Sequence, residues 1–193
     1  MKYLLPLLSL SLFINSSAFG GAGFFDSYTI VNSTFYDLSA DSINADFSGT
    51  NIGNFDTSDS LTIGGQLKSY KNGSTDVTGA NISYAIYQDG ESATFSDISY
   101  SWEGNLSNPG DQQWGTSASS SVSLSTLSSG NYQLSVYASV FTNGSDASPQ
   151  IFDNAGGANY TASFTIVPEP SNFALIGSLF AIGLVAIRRK VRN

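Results

Sequence analysis

The chain has 193 residues, with 15 acidic and 7 basic side chains, no histidine and no cysteine, and a formal charge of −8. Without cysteine no disulfide can staple the fold, and without imidazole or thiolate the common nucleophilic triads and transition-metal sites have no parts to be built from. Between residues 19 and 171 all 15 acidic residues face only Lys68 and Lys71, a net −13, and such a surface repels nucleic acid and anionic lipid.

The N-terminus carries an export pattern. Lys2 is the positive end, residues 3–14 are apolar apart from Pro6, Ser9 and Ser11, and Ser16-Ser17-Ala18 puts small residues at the −3 and −1 positions of a signal-peptidase site. Residues 1–18 therefore read as a signal peptide cut before Phe19, with Ala22 as a second possible site. A stretch this short is too brief to span a bilayer.

Residues 19–166 are the length of one domain. Their dominant pattern has period two, which places successive side chains on opposite faces of a strand. In chain order the expected strands are 27–31, 46–48, 60–63 with 66–70, 82–86, 98–102, 121–124, 132–140 and 162–166. Turn-formers separate them, among them Asn72-Gly73, Asp89-Gly90, Asn108-Pro109-Gly110 and Asn143-Gly144. The Ser-rich stretch 116–129 reads as an edge strand and a turn, and linkers are expected only at 19–23 and 167–171. No stretch sustains a helical period. The expectation is an all-β domain, an antiparallel two-sheet sandwich of immunoglobulin-like, fibronectin III-like or jelly-roll-like type. Leu127, Gly130 and Tyr132 have the spacing that precedes strand F in immunoglobulin-like domains, where a tyrosine hydroxyl bonds back to upstream backbone.

Three kinds of site can be weighed. For catalysis, paired carboxylates are the remaining option, and Asp97, Glu103 and Asp111 are the nearest to a set. No nucleophile elbow, metalloprotease helix or phosphate loop is present, so the chain reads as non-enzymatic. For sugar binding, aromatic rings would have to converge on one face; Trp114, Tyr87 and Tyr137 are the candidates, while Trp102 is in phase with Ile98 and Tyr100 and is expected in the core. For metal, Asn51, Asn54, Asp56 and Asp59 share one expected loop but lack the spacing of a strong calcium cage, so no cofactor is expected and calcium is the one that fits at all.

The C-terminal 27 residues have three parts. Val167-Pro168-Glu169-Pro170-Ser171 is held extended by two prolines, which lack backbone donors and cannot join the helix below. Residues 172–187 then form an apolar segment; its run 173–187 would make a helix of about 22 Å, short for a hydrocarbon core of about 30 Å. Arg188, Arg189, Lys190 and Arg192 form a basic stop that stays on the cytoplasmic side and leaves the β domain outside. This order of motif, short helix and basic end closely resembles the PEP-CTERM sorting signal of Gram-negative bacteria. The resemblance covers only residues 167–193 and implies a signal-peptide-bearing exported protein whose tail is recognised at Pro168, Glu169 and Pro170, and processed, by an exosortase. It also implies a host that makes extracellular polysaccharide. The expectation is a structural or adhesive protein of the cell surface or matrix, or alternatively a carbohydrate-binding module acting on extracellular polysaccharide. Its expected partners are signal peptidase, an exosortase-like enzyme and the membrane through the tail helix.

Overall fold

The structure, a computed structural model, describes residues 21–39, 43–116, 120–144 and 148–168. The expected signal peptide with Ser16 and Ala18, the motif residues Glu169 and Pro170, the apolar segment 172–187 and the basic stop lie outside them. Among the described residues there is no α-helix, and the order is β1 (Gly21–Val31), β2 (Thr34–Asp37), β3 (Ala45–Asp46), β4 (Asn51–Asp56), β5 (Ser60–Asn72), β6 (Val77–Gln88), β7 (Ser96–Asn105), β8 (Asp111–Gly115), β9 (Ser120–Ser123), β10 (Gly130–Thr142), β11 (Gln150–Asp153), a 3-10 turn at Ala155–Gly157, and β12 (Tyr160–Val167).

The strands with clear alternation form where expected, and for the expected reason. In β10, Tyr132, Leu134, Val136, Ala138 and Val140 are all buried on one face. In β12, Ala162, Phe164 and Ile166 are buried on the face that meets them. The two segments expected at 60–63 and 66–70 are one strand, because Gly64-Gly65 does not break β5. Gly65 is needed there: a Cβ at this position would collide with the Tyr100 hydroxyl and with the Tyr28 carbonyl. Of the two expected linkers, residues 21–23 and Val167 belong to strands. Gly21 to Gly23 pair with Asn72 to Tyr70 as the start of β1, and Val167 pairs with Asp56 at the end of β12.

Hydrogen bonding joins the strands into one continuous mixed sheet in the order β3-β2-β1-β5-β8-β7-β6-β10-β12-β4, with β9 beside β5 and β11 beside β10. The purely antiparallel arrangement expected from the sequence does not hold, since β4 runs parallel to β12 and β3 parallel to β2. The corner is β7. Its first half, Ser96 to Tyr100, pairs with β6, and its second half, from Ser101, pairs with β8. A strand that changes partner midway lets a sheet fold back on itself. The sheet curls into a half-barrel around one core. Leu61, Ile63, Leu67 and Trp114 of the β5 half belong to the same buried cluster as Ile82, Leu134, Val136 and Phe164 of the β10 half. Two residues outside the strands, Phe47 and Leu124, are wholly buried and complete it. The open side is tied by the Ser27 hydroxyl of β1, which donates to the Asp153 carboxylate of β11.

Tyr132 does what its spacing suggests. It stacks on Phe164 at 5.5 Å between ring centres, and its hydroxyl donates to the Ser128 carbonyl at 3.0 Å while accepting from Gln88 Nε2 at 3.2 Å.

Candidate ligand-binding face

The outer face of the β6, β10, β11 and β12 region concentrates the side chains that a ligand could use. Alternation fixes its membership. When Leu134, Val136 and Ala138 point into the core, Gln133, Ser135, Tyr137 and Ser139 must point out. Registration places Tyr87 beside Gln133, Ala85 beside Ser135, Ser83 beside Tyr137, and both Asn81 and Phe152 beside Ser139.

Tyr137 is the centre of an aromatic ledge. Its ring lies 5.1 Å from Phe95, which precedes β7, and 6.0 Å from Phe152 on β11, with the planes inclined by 58° and 60°. Tilted and edge-on contacts of this kind are the favoured geometry between aromatic rings. Phe152 nevertheless remains 48% exposed, so the ledge shows an apolar surface to solvent. Beneath it the sheet is floored by small side chains, Ser83, Ala85, Ser135 and Ser139, all buried. The rim is polar. Asp97 accepts from the Ser83 hydroxyl at 2.5 Å, and Gln150 Nε2 donates to the Ser139 hydroxyl at 3.2 Å.

At the other end of the same face, where β12 meets β4, lies a cleft of about 220 Å³. Asn51, Asp89, Asn131, Gln133, Ser163 and Thr165 supply its polar lining. Gln133 Nε2 donates to Asp89 Oδ1 at 2.8 Å, and Thr165 Oγ1 donates to Asn131 Oδ1 at 3.1 Å. Tyr87 sits beside Gln133 on β6 and therefore lies level with the cleft, two rows from Tyr137.

The three aromatic candidates do not converge. Tyr87 and Tyr137 share the outer face but are two side-chain rows apart, with Ala85 and Ser135 between them. Trp114 is 7% exposed and opposes Leu67 in the core. It lies on a strand, β8, and not in the loop expected from its polar neighbours Asp111-Gln112-Gln113. Trp102 is the reverse case: expected in the core, it is 55% exposed. Trp102 keeps the phase of Ile98 and Tyr100 and pairs with Trp114, but it lies after β7 has left β6 and at a bulge before Gly104. Sequence reasoning missed Phe95 and Phe152. Phe95 stands before a strand and Phe152 in one too short for a periodicity to show, and the β10–β11 register sets Phe152 opposite Ser139, one row from Tyr137, where the two rings meet.

The three carboxylates weighed for catalysis sit in separate networks. Asp97 bonds Ser83, Glu103 accepts from Gln66 and Gln113 at 2.9 and 2.7 Å, and Asp111 accepts from Asn108 at 3.1 Å. The loop considered for calcium is largely strand β4 and its following turn. There Asn51 Oδ1 accepts from the Gly53 amide and Asp59 Oδ2 from the Asp56 amide, so these side chains shape the backbone. No group of three acidic ligands gathers among the described residues. Pro168, the one described residue of the Pro-Glu-Pro motif, is exposed immediately after the last residue of β12. Among the described residues no helix is long and apolar enough to cross a membrane.

No family model matches this chain, and no curated protein matches its sequence.

Proposed function

We propose that the chain is an exported cell-surface or extracellular-matrix protein of structural and adhesive type, sorted and trimmed through its PEP-CTERM-like tail, with its β domain as the contact module. The observation that carries the adhesive part is the aromatic ledge of Phe95, Tyr137 and Phe152 on an otherwise Ser-, Asn- and Gln-rich outer face. A contiguous apolar patch rimmed by polar residues marks an interaction surface, and here exposed Phe152 adjoins half-buried Tyr137 and Phe95 within such a rim. For sorting, the support is the sequence of the tail: a proline-bracketed glutamate at Pro168, Glu169 and Pro170, a short apolar segment and a basic stop. Signal peptidase and an exosortase-like enzyme are the partners this reading requires. The reading also takes the curled sheet as an immunoglobulin-like or jelly-roll-like sandwich, supported by the tyrosine corner at Tyr132.

A second reading, a carbohydrate-binding module on extracellular polysaccharide, is favoured by the same ledge. Flat rings beside amides and hydroxyls suit the apolar faces and equatorial hydroxyls of sugar rings. The test is a double change, Phe95→Ser with Phe152→Ser, in the native host. Normal export and an unchanged fold are expected, with loss of the protein from the cell-associated matrix into the medium. Undiminished matrix association would remove the ledge as the contact surface.

A further inference from the structure

We propose that the cleft between β4, β10 and β12 is a specificity subsite for an uncharged polysaccharide, reading its hydroxyl groups beside the aromatic ledge. This inference rests on the glycan reading of the outer face and adds to it which sugars are admitted.

Three observations point the same way. The first is chemical. In the cleft the amides are already oriented by bonds that use only part of their capacity: Gln133 holds Asp89 through Nε2, and Asn131 is held by Thr165 through Oδ1. The Asn131 amino group, the Gln133 carbonyl, the second oxygen of Asp89 and the Ser163 hydroxyl have no partner among the described residues. These groups mix donors with acceptors. A sugar hydroxyl both donates and accepts, and it matches such a set; a carboxylate, sulfate or phosphate accepts only, and needs donors or cations.

The second is electrostatic. Residues 19–171 contain two basic side chains, and both belong to β5 in the other half of the sheet. Lys68 pairs with Asp26 at 2.8 Å and Lys71 with Asp76 at 3.0 Å. The binding face has Asp89 in the cleft and Asp97 beside the ledge, with no countercharge for an acidic polymer. A polyuronate or sulfated glycan would meet repulsion at both ends. An uncharged chain would not.

The third is dimensional. The cleft, at about 220 Å³, is below the roughly 300–1,000 Å³ of a self-contained small-molecule pocket. Gln133 at the cleft and Tyr137 at the ledge are four residues apart on β10, about 13 Å at the usual strand rise, with Tyr87 beside Gln133. One ligand that engages both must be a chain of sugars, lying along β10.

The experiment uses the full-length protein in detergent, with Arg188, Arg189, Lys190 and Arg192 changed to Gln in every sample so that the tail cannot hold an acidic polymer, on immobilised glycans without added calcium: laminarin, a soluble cellulose derivative, galactan and mannan as neutral probes, and polygalacturonate as the acidic one. Thermal melts confirm that each variant is folded. This parent chain is expected to bind at least one neutral glycan and to exclude polygalacturonate. Asn131→Ala combined with Gln133→Ala is expected to weaken neutral-glycan binding about tenfold, the loss of one or two net hydrogen bonds. Phe152→Ala is expected to weaken it independently, through the ledge. If Phe152→Ala reduces binding while the cleft double variant binds as the parent does, the subsite is wrong and the ledge stands. Polygalacturonate bound as tightly as the neutral glycan also overturns the subsite. Binding to no neutral glycan overturns the glycan reading itself, and neutral-glycan binding that Phe152→Ala leaves unchanged removes the ledge from the site.

Discussion

Tyr160 donates its hydroxyl to Asp153 Oδ1 at 2.6 Å, and the same carboxylate takes the Ser27 hydroxyl that ties β1 to β11. Burial, reinforced by the neighbouring Asp153 charge, pushes the Tyr160 phenol up to about 12. Burial pushes Tyr100 up as well. An unfolded tyrosine ionises near 10. Above that pH the folded chain retains protons the unfolded chain has lost, so this stabilisation is complete below about pH 10 and is lost as pH rises toward the folded value. Denaturation midpoints measured from neutral to strongly alkaline pH should therefore fall above about pH 10, and fall less steeply in Tyr160→Phe. Equal slopes would mean that Tyr160 is not the titrating group. The tryptophans make a second residue-scale test. Trp114 fills core volume against Leu67, so Trp114→Ala should cost about 3–5 kcal/mol, whereas Trp102→Ala should stay within about 0.5 kcal/mol. Urea melts of the two variants distinguish them. Loss of ligand binding in Trp114→Ala would report unfolding, which makes Phe152 the proper probe of the face.

At the scale of elements, the strands legible in the sequence were those with one face in the core and one outside. The periods of β6, β10 and β12 follow from that asymmetry. β8 was not legible, because Asp111-Gln112-Gln113 is polar throughout and its pairing with β5 is decided by a strand more than forty residues earlier in the chain. β4 looked like a loop for the same reason: its Asn and Gly residues have low strand propensity, and parallel pairing with β12 overrides it. β2 and β11 are too short for a period to register. The candidate site was half legible. Alternation places Tyr87 and Tyr137 on the outer face, but which rings meet depends on register, and register is a property of pairs of strands. Tyr132 is the element-scale signal that local spacing did carry. Tyr132→Phe keeps the stack on Phe164 and removes the bond to Ser128, so it should cost about 1 kcal/mol and lower the melting midpoint by a few degrees. An unchanged midpoint would leave Tyr132 a packing role alone.

For the whole molecule, one path joins core, binding face and exit. β12 lies between β10 and β4, lines the cleft through Ser163 and Thr165, and runs directly into Pro168. The β domain therefore reaches Pro168, the first residue of the Pro-Glu-Pro motif, directly after its last strand. The most direct test is surface fractionation with intact-mass measurement in the native host, comparing wild type with alanine at Pro168, Glu169 and Pro170. Mature wild type is expected outside the inner membrane without Arg188, Arg189, Lys190 and Arg192, and the full-length triple variant is expected to be retained in that membrane. Normal trimming of the triple variant, or mature wild type seated in the bilayer with those basic residues intact, would contradict the proposed sorting.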